Sequence, residues 1–330
     1  MFKKLLLVIL FIFVLIALYY NFALTHSYSI YKQNSLENIN NIILEEEFSL
    51  KSINFLFLGI PGQEYAAPWL TDTIIVGSFN SNNGKVSLVS IPRDLIIKIP
   101  ESENITKINS LYSLGKTFSP LEPIKFIKEK ITEITGLPID YYVLIDVLGL
   151  ERFIDSVGGV NIIVSKDISD PRFPGANYSY EPFYLTAGFH NLNGHEAVRF
   201  ARSRNSLRGD FDRIQRQRQL IQALKNQIFA KNLNLQWLIK SYTDLNDRLI
   251  SNLRLDDLPI LFKAARLISN KNISDYSLEI GPNELLKEAD IILGGVKAYA
   301  LIPKKGLGEY DEIQDFFKEI NINQQNTNNN

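Results

Sequence analysis

The stretch INFLFLGIPGQEYAAPWLTDTIIVGSFNSNNGKVSLVSI, residues 53–91, determines the fold class of this chain. It contains three short runs rich in β-branched and aromatic residues: INFLFLGI, TIIVGSF and KVSLVSI. A loop separates the first two runs, and Asn82-Asn83-Gly84 is a turn signal before the third. The stretch therefore predicts three strands joined by loops.

Helical and strand patterns alternate after this stretch. Ser119-Pro120-Leu121-Glu122 has the form of a capping box with proline at the first helical position, so we expect a helix that ends at Gly136. The run YYVLIDV predicts a strand, a short helix follows it up to Gly158-Gly159, and VNIIV predicts another strand. Two amphipathic helices are expected within 234–269, and SDYSLEI and VKAYALI are expected as late strands. This alternation predicts an α/β protein with a mixed central β-sheet flanked by helices in α-β-α layers.

Length and charge set limits on organisation and partners. The 330 residues show no internal repeat and no linker after residue 53, so we expect one domain over 51–320 with its core in 53–229, and a disordered tail over 321–330. The formal net charge is −1 and the pI is about 6.4. A global case for nucleic acid as a partner is therefore absent.

The N-terminal segment predicts a membrane anchor. No charged residue occurs between Leu5 and Leu24, a length that spans about 30 Å as a helix. Lys3 and Lys4 precede it, so residues 1–24 are expected as a cytoplasmic stub and transmembrane signal anchor, followed by a stalk over 25–50 and an extracytoplasmic domain. A cleaved signal peptide is the alternative; the apolar run is longer than the core of such a peptide, and no small-x-small site follows it.

Seven of the thirteen arginines lie between Ala197 and Gln219. In the helix that GDFDRIQRQRQLIQALKNQIF would form, Asp210, Arg213 and Gln217 fall within the apolar arc, whereas Arg216 and Arg218 fall outside it and are expected to face solvent. Unpaired charge on a core-facing arc is costly, so this placement suggests a site. A structural ion pair at the edge of the core is the alternative.

Two further arginines precede that helix. Arg202 and Arg204 are two residues apart, and in an extended segment their guanidinium groups would face the same spot. Several converging guanidinium groups suit a diphosphate, because each can hold phosphate oxygens with two N–H donors. The alternative is a solvated loop, and Arg199 and Arg208 are expected to be ordinary surface charges.

The positions of Arg93 and Asp72 suggest which ligand these arginines bind. Arg93 follows a predicted strand in SIPRD, where α/β sheets commonly hold ligands, and Asp72 begins the strand TIIVGSF without a basic neighbour in the sequence. A carboxylate beside diphosphate-binding arginines is consistent with a bridging hard cation, for which Mg²⁺ is expected. Arginines, carboxylates and Mg²⁺ are the components of phosphoryl transfer.

The sequence resembles the LytR-CpsA-Psr family of cell-wall assembly enzymes. The resemblance covers about 53–229 and is carried by five segments, LTDTIIV, VSLVSIPRDLIIKIP, KINSLY, DSVGGVNI and AGFHNLNGHEAVRFARSRNSLRGDFDRIQRQRQ. It implies a membrane-anchored domain that binds a polyprenyl-diphosphate-linked glycopolymer and transfers the glycopolymer phosphate, with Mg²⁺, to a peptidoglycan hydroxyl.

The resemblance also implies roles for individual residues. The positions that match the family's pyrophosphate-binding residues are Arg93, Arg202, Arg204, Arg213 and Gln217. Asp72 matches a carboxylate that helps hold Mg²⁺, and Asp210 matches one in the same site. Asp72, Arg93, Asp210 and Arg213 are the expected catalytic group. Lys107 and Asn109 are expected to line the site.

Two departures from the family pattern concern the metal. The usual second carboxylate after the first strand and an arginine before the Asp72 position are absent; Pro61 and Leu70 stand there. Glu64 is the only carboxylate in that loop and is expected as the replacement metal ligand, the alternative being a solvent-facing residue. A non-catalytic polyprenyl-diphosphate-binding scaffold and a pyrophosphohydrolase are therefore the alternative functions.

Overall fold

The structure is a computed structural model. It describes residues 52–80, 84–175, 179–203, 205, 247–253, 273–278 and 285–326, together with single positions and short runs within 212–245. The predicted anchor, the stalk and the two helices expected within 234–269 lie outside the described residues, apart from positions 244–245 and 247–253. Within the described part of the chain, no helix is both long enough and apolar enough to cross a membrane.

The centre of the fold is a six-stranded mixed sheet. Its strand order is β11-β6-β1-β2-β3-β12. β1 is parallel to β6 and β3 is parallel to β12, whereas the other three pairings are antiparallel. The six strands are β1 (Ile53–Ile60), β2 (Thr73–Phe79), β3 (Val86–Ser90), β6 (Tyr141–Asp146), β11 (Leu249–Ser251) and β12 (Ile273–Ser277).

The first strands do not alternate between apolar and polar residues, because they are buried on both faces. All seven residues of β2 and all five of β3 are buried. A sheet covered on both faces requires apolar residues at successive positions. The three strands expected from residues 53–91 are confirmed.

Helices cover both faces of the sheet. The neighbours Leu144 and Ile145 point to opposite faces of β6 and belong to different apolar clusters. The helices with bounds in the described part of the chain are α1 (Leu111–Phe118), α2 (Ile124–Thr135), α3 (Val147–Ser156), α4 (Gly194–Arg202) and α5 (Asp311–Asn326). Leu144 packs in the cluster that contains α1, α2 and α5, and Ile145 packs in the cluster that contains α3 and α4. The expected mixed sheet flanked by helices is confirmed.

The start of α2 differs from the sequence prediction. Ser119 caps the C-terminus of α1, and α2 begins at Ile124 after Pro123, which makes no side-chain capping bond. The predicted capping box at Ser119 is therefore wrong, although α2 does end at Gly136, which has φ +68°. Gly115 of α1 approaches the backbone of Pro123 so closely that a Cβ atom would lie 2.1 Å from the Pro123 carbonyl oxygen. A side chain at position 115 would therefore force α1 and the start of α2 apart.

Among the described residues, four two-stranded sheets accompany the central sheet. They pair β4 (Ile96–Lys98) with β5 (Ile105–Lys107), β7 (Val160–Val164) with β10 (Gly188–Leu192), β8 (Ile168–Asp170) with β9 (Phe183–Leu185), and β13 (Leu286–Leu293) with β14 (Val296–Pro303). The β13–β14 hairpin joins the rest of the fold at Asp94, whose carbonyl accepts a hydrogen bond of 3.0 Å from Leu301 N–H.

Candidate functional site

Four chain segments meet at one edge of the central sheet. The pairings Gly59↔Thr73 and Ile75↔Ser90 bring the end of β1, the start of β2 and the end of β3 to this edge, and Ile60↔Asp146 adds the end of β6. The loops that leave these strands carry Glu64, Asp72 and Arg93. Strand direction therefore collects residues that are distant in sequence.

Asp72 and Arg93 form an ion pair at this edge. Arg93 Nη1 donates to Asp72 Oδ1 at 2.6 Å, and both side chains are about two-fifths exposed, 43% for Arg93 and 42% for Asp72. Partial burial disfavours the charged form of Arg93, but the hydrogen bond and charge of Asp72, assisted by Asp94, outweigh it and raise the pKa of Arg93. Arg93 is thus a fixed cation that solvent and a ligand can reach.

Lys107 and Asn109 lie beside this pair. Lys107 Nζ donates to Asp94 Oδ1 at 2.6 Å, while Arg93 Nε lies 3.5 Å from Asp94 Oδ2. The Asn109 N–H donates to the Arg93 carbonyl at 3.4 Å. The structure therefore brings together four of the residues expected from sequence, Asp72, Arg93, Lys107 and Asn109.

Arg202 is the last residue of α4 and lies between two aromatic rings. Its guanidinium carbon is 4.8 Å from the centre of the Tyr65 ring and 5.5 Å from that of Phe173. The extended Arg202-Ser203-Arg204 segment was predicted incorrectly at its first residue, because Arg202 is helical and the backbone becomes extended only at Ser203. The α4 N-terminus carries a capping box formed by Asn193 and Glu196, which fixes the helix that presents Arg202.

Glu64 is paired with an arginine from a distant part of the chain. Arg248 Nη1 donates to Glu64 Oε1 at 2.8 Å and to Asp146 Oδ2 at 3.1 Å. Asp146 is also the N-cap of α3, accepting a hydrogen bond of 2.7 Å from the Gly149 N–H. The alternative of an unpartnered, solvent-facing Glu64 does not describe its environment, since its side chain is 31% exposed and ion-paired.

The pKa values of this triad follow from burial and charge. Burial acts to raise the pKa of Glu64, but the hydrogen bond and charge of Arg248 prevail and lower it. Burial raises the pKa of Asp146 in spite of the Gly149 N–H and Arg248. Hydrogen bonds from Arg248 to Glu64 first, and then to Asp146, raise the pKa of Arg248. Glu64 and Arg248 are therefore a permanently charged pair at neutral pH.

A cavity of about 310 Å³ adjoins the triad. Asp146 and Arg248 form part of its wall, and Trp69 and Lys116 form another part, with Lys116 Nζ 4.0 Å from the centre of the Trp69 ring. The wall is thus aromatic and charged as well as apolar.

Several expected site residues lie outside the described residues, namely Arg204, Asp210, Arg213 and Gln217. Their described neighbours on the same segment are helical between 212 and 227, and Leu220 and Leu224 are fully buried, as the predicted apolar arc requires. The shared approach of these four residues to the site remains a prediction.

Of two arginines expected on the surface, Arg216 is buried and Arg199 is partly buried. Arg216 is 8% exposed and donates a short hydrogen bond to the Ser203 carbonyl, because its side of the helix packs against the turn after α4. The side chain of Arg199 is 15% exposed, pairs with Glu181 at 2.7 Å, and lies over the rings of Phe173 and Phe183. The expectation that these two arginines face solvent is wrong.

Sequence reasoning missed Tyr65, Asp146 and Arg248 as neighbours of the site. Asp146 had a usable signal, because it ends the predicted strand YYVLIDV at the edge where α/β proteins collect ligands. Arg248 had none, since the segment around it carries no recognisable motif. Tyr65 could be found only through its contact with Arg202.

The fold and the site together define an α/β protein with an arginine-containing site at one edge of a mixed sheet. The sequence pattern of the LytR_cpsA_psr family matches residues 16–304, and the chain belongs to this family. The family expected from the sequence motifs is confirmed.

Individual relatives agree with this assignment. TagV of Bacillus subtilis (strain 168), named a polyisoprenyl-teichoic acid–peptidoglycan teichoic acid transferase, is 27% identical over 272 residues, 79% of this chain and 66% of TagV. MsrR of Staphylococcus aureus (strain Mu50), named a regulatory protein, is 34% identical over 160 residues, 48% of this chain and 44% of MsrR. The chain thus spans less than two thirds of these curated relatives. The crystal structure of B. subtilis TagV has a TM-score of 0.58 and 26% identity, covering 82% of this chain and 96% of TagV as crystallised.

Proposed function

We propose that this protein is a membrane-anchored, extracytoplasmic phosphotransferase. It moves a glycopolymer phosphate from a polyprenyl-diphosphate carrier to a peptidoglycan hydroxyl during assembly of the cell envelope. The observation that carries the proposal is the half-exposed Arg93, held by Asp72 at the sheet edge beside Lys107. The transferase name of TagV supports the substrate class.

The chemistry requires an anion site more than a nucleophile from the protein. The acceptor oxygen bonds to the phosphorus that carries the glycopolymer, and the bond from that phosphorus to the bridging diphosphate oxygen breaks. Polyprenyl monophosphate leaves, and the acceptor proton passes to a carboxylate or to solvent. Arginines stabilise such a reaction by holding the diphosphate and neutralising the charge that develops on the leaving group.

Among the residues that the structure describes, Arg93 and Arg202 are the proposed diphosphate ligands. Arg204, Arg213 and Gln217 complete the proposed set, and Asp210 belongs with them. Lys107 and Asn109 have a supporting position, since both contact the Arg93–Asp94 segment directly. Their proposed role is to fix Arg93 at the end of β3.

Mg²⁺ is the proposed cofactor, with Asp72 and Glu64 as protein ligands. Magnesium in such sites uses one or two carboxylates together with substrate phosphates and water. The two carboxylates are consistent with this mode of coordination. Asp72 is part-exposed next to Arg93, and Glu64 Oε2 is buried without a hydrogen bond to any described residue. No group of three metal-binding side chains occurs among the residues that the structure describes. When bound, the ion would neutralise the diphosphate charge.

A reconstituted transfer reaction tests the proposal. The full chain in lipid nanodiscs is incubated with a polyprenyl-diphosphate-linked saccharide, peptidoglycan oligomers and Mg²⁺, and products are separated by mass. A phosphodiester-linked conjugate and polyprenyl monophosphate are expected, and Arg93→Ala should abolish both. Polyprenyl monophosphate accompanied by free saccharide phosphate would instead identify a pyrophosphohydrolase.

A non-catalytic carrier-binding protein is the second candidate. Two features of the same sheet edge favour it. Pro61 and Leu70 replace a carboxylate and an arginine of the family pattern, and Glu64 is ion-paired with Arg248. The MsrR name is consistent with a regulatory member of the family. Tight binding of the carrier without turnover in the reconstituted reaction would support it.

A further inference from the structure

The loop between β1 and β2, residues 61–72, contacts several positively charged side chains. This β1–β2 loop contains no basic residue, yet it contacts basic side chains from four other parts of the chain. These contacts are Glu64 with Arg248, Tyr65 with Arg202, Trp69 with Lys116, and Asp72 with Arg93. One loop thus touches both described arginines of the proposed diphosphate site.

The β1–β2 loop has a defined conformation. Gly62 N–H donates to the Pro68 carbonyl at 3.2 Å, and Tyr65 N–H donates to the Gly62 carbonyl at 3.1 Å. Gly62 has φ +96°, and its position against Asp146 leaves a Cβ atom only 3.1 Å from that side chain. Ala67 has φ +50°, a conformation that non-glycine residues adopt only when their surroundings require it. The loop is therefore held at both ends and across its middle.

Among the described residues, Arg202 contacts two aromatic rings and has no carboxylate within ion-pair distance. The neighbouring Arg199, by contrast, pairs with Glu181. A cation–π contact holds a guanidinium without neutralising its charge, so Arg202 can still pair with an anion.

The environment of Tyr65 suits this residue to hold Arg202 in place. Its side chain is half-buried and packs against the apolar cluster that contains α3 and α4. The adjacent Glu64 is bound by Arg248, which in turn binds Asp146 at the end of β6. The position of the Tyr65 ring is thus fixed relative to the sheet by the residue before it.

We propose that Tyr65 is a positioning residue for Arg202, and that the Glu64–Arg248–Asp146 triad fixes the loop segment that carries it. Tyr65 acts through Arg202 and needs no contact with the substrate. The inference rests on the proposed function in one respect, namely that Arg202 binds the diphosphate of the lipid carrier.

The test measures binding of farnesyl diphosphate by the full chain in detergent micelles with EDTA present. Tyr65→Ala is expected to raise the dissociation constant about 5- to 30-fold, the effect of losing a partly desolvated cation–π contact. Tyr65→Phe keeps the ring and should stay within about 2-fold of wild type. Tyr184→Ala, which removes a tyrosine that is 64% exposed, is the matched control and should have no effect. A melting temperature for each variant reports folding.

A double-mutant cycle separates positioning from general stability. If Tyr65 acts through Arg202, Tyr65→Ala should have no further effect on binding in an Arg202→Ala background. Additive losses, or an unchanged dissociation constant in Tyr65→Ala, would overturn the inference while leaving the proposed function intact. Wild-type protein that fails to bind farnesyl diphosphate, or whose binding is indifferent to Arg93→Ala, would overturn the proposed function and the inference with it.

Discussion

Glu64 and Arg248 are 184 residues apart in the sequence, yet Arg248 Nη1 donates to Glu64 Oε1 at 2.8 Å. The same guanidinium nitrogen reaches Asp146, the last residue of β6, so one cation neutralises two carboxylates near the ends of neighbouring parallel strands. Two carboxylates that converge without a cation would repel each other. Arg248 therefore allows the β1–β2 loop to close over the edge of the sheet where β6 ends.

Arg248→Met should destabilise the fold by about 2–3 kcal/mol at pH 7. Breaking a buried pair typically costs about 3–5 kcal/mol, and the residual exposure of these side chains reduces that figure. Thermal unfolding of the full chain in micelles measures the loss. Lys98→Met is the control, because its pair with Glu103 is exposed, lies outside the Arg248 network and should matter little.

The same variant should show an altered pH dependence. Arg248 lowers the pKa of Glu64, so in wild type that pair contributes stability above the unfolded pKa of Glu64 and loses it as the pH falls. Without Arg248, burial raises the pKa of both Glu64 and Asp146, and their ionised forms become unfavourable as the pH rises. The difference in melting temperature between wild type and variant should thus be largest near pH 7–8 and shrink toward about pH 4–5. A difference independent of pH would contradict this account.

Arg93→Ala and Arg202→Ala should each weaken binding of a prenyl diphosphate. Each loses a charge-assisted contact of about 1.5–3 kcal/mol, which is about a 10- to 150-fold increase in dissociation constant. Arg172, which is exposed, supplies the control for a general effect of positive charge. Arg216 cannot serve as this control, because it is buried against Ser203. Equal losses in Arg172→Ala would indicate a diffuse basic surface.

Much of the sheet and part of the site could be predicted from sequence, because both depend on local patterns. Apolar runs fixed β1, β2 and β3, and the positions of Asp72 and Arg93 at strand ends placed them at one edge. Arg248 and Tyr65 could not be predicted, since their roles come from contacts made across the fold. Helical periodicity misplaced Arg216 because a helix that packs on two sides buries more than one arc.

The absence of cysteine makes the expected topology directly measurable. If residues 5–24 anchor the protein with its domain outside, a membrane-impermeant maleimide should label Leu121→Cys in intact spheroplasts, since Leu121 is 97% exposed. Lys3→Cys should be labelled only after permeabilisation. The reverse pattern would exclude an extracytoplasmic domain.

The role of Glu64 is decided by a magnesium titration. Glu64→Gln keeps the size of the side chain and deletes its charge, so if Glu64 is a metal ligand, the Mg²⁺ concentration at half-maximal diphosphate cleavage should rise. Asp72→Asn should raise it further. Binding of the prenyl diphosphate in EDTA should change little in either variant, because the amide oxygens of asparagine and glutamine can still accept the hydrogen bonds from Arg93 and Arg248. If Glu64 serves only Arg248, the midpoint in Glu64→Gln stays at the wild-type value while the melting temperature falls, because Arg248 loses one of its three carboxylate partners, Glu64, Asp146 and Asp247. Arg248→Met provides the complementary measurement, since loss of the guanidinium vacates a position that both carboxylates face. A melting temperature that increases with Mg²⁺ in Arg248→Met, and fails to do so when Glu64→Gln is added, would show that the pair of carboxylates can hold a divalent cation once the arginine is gone.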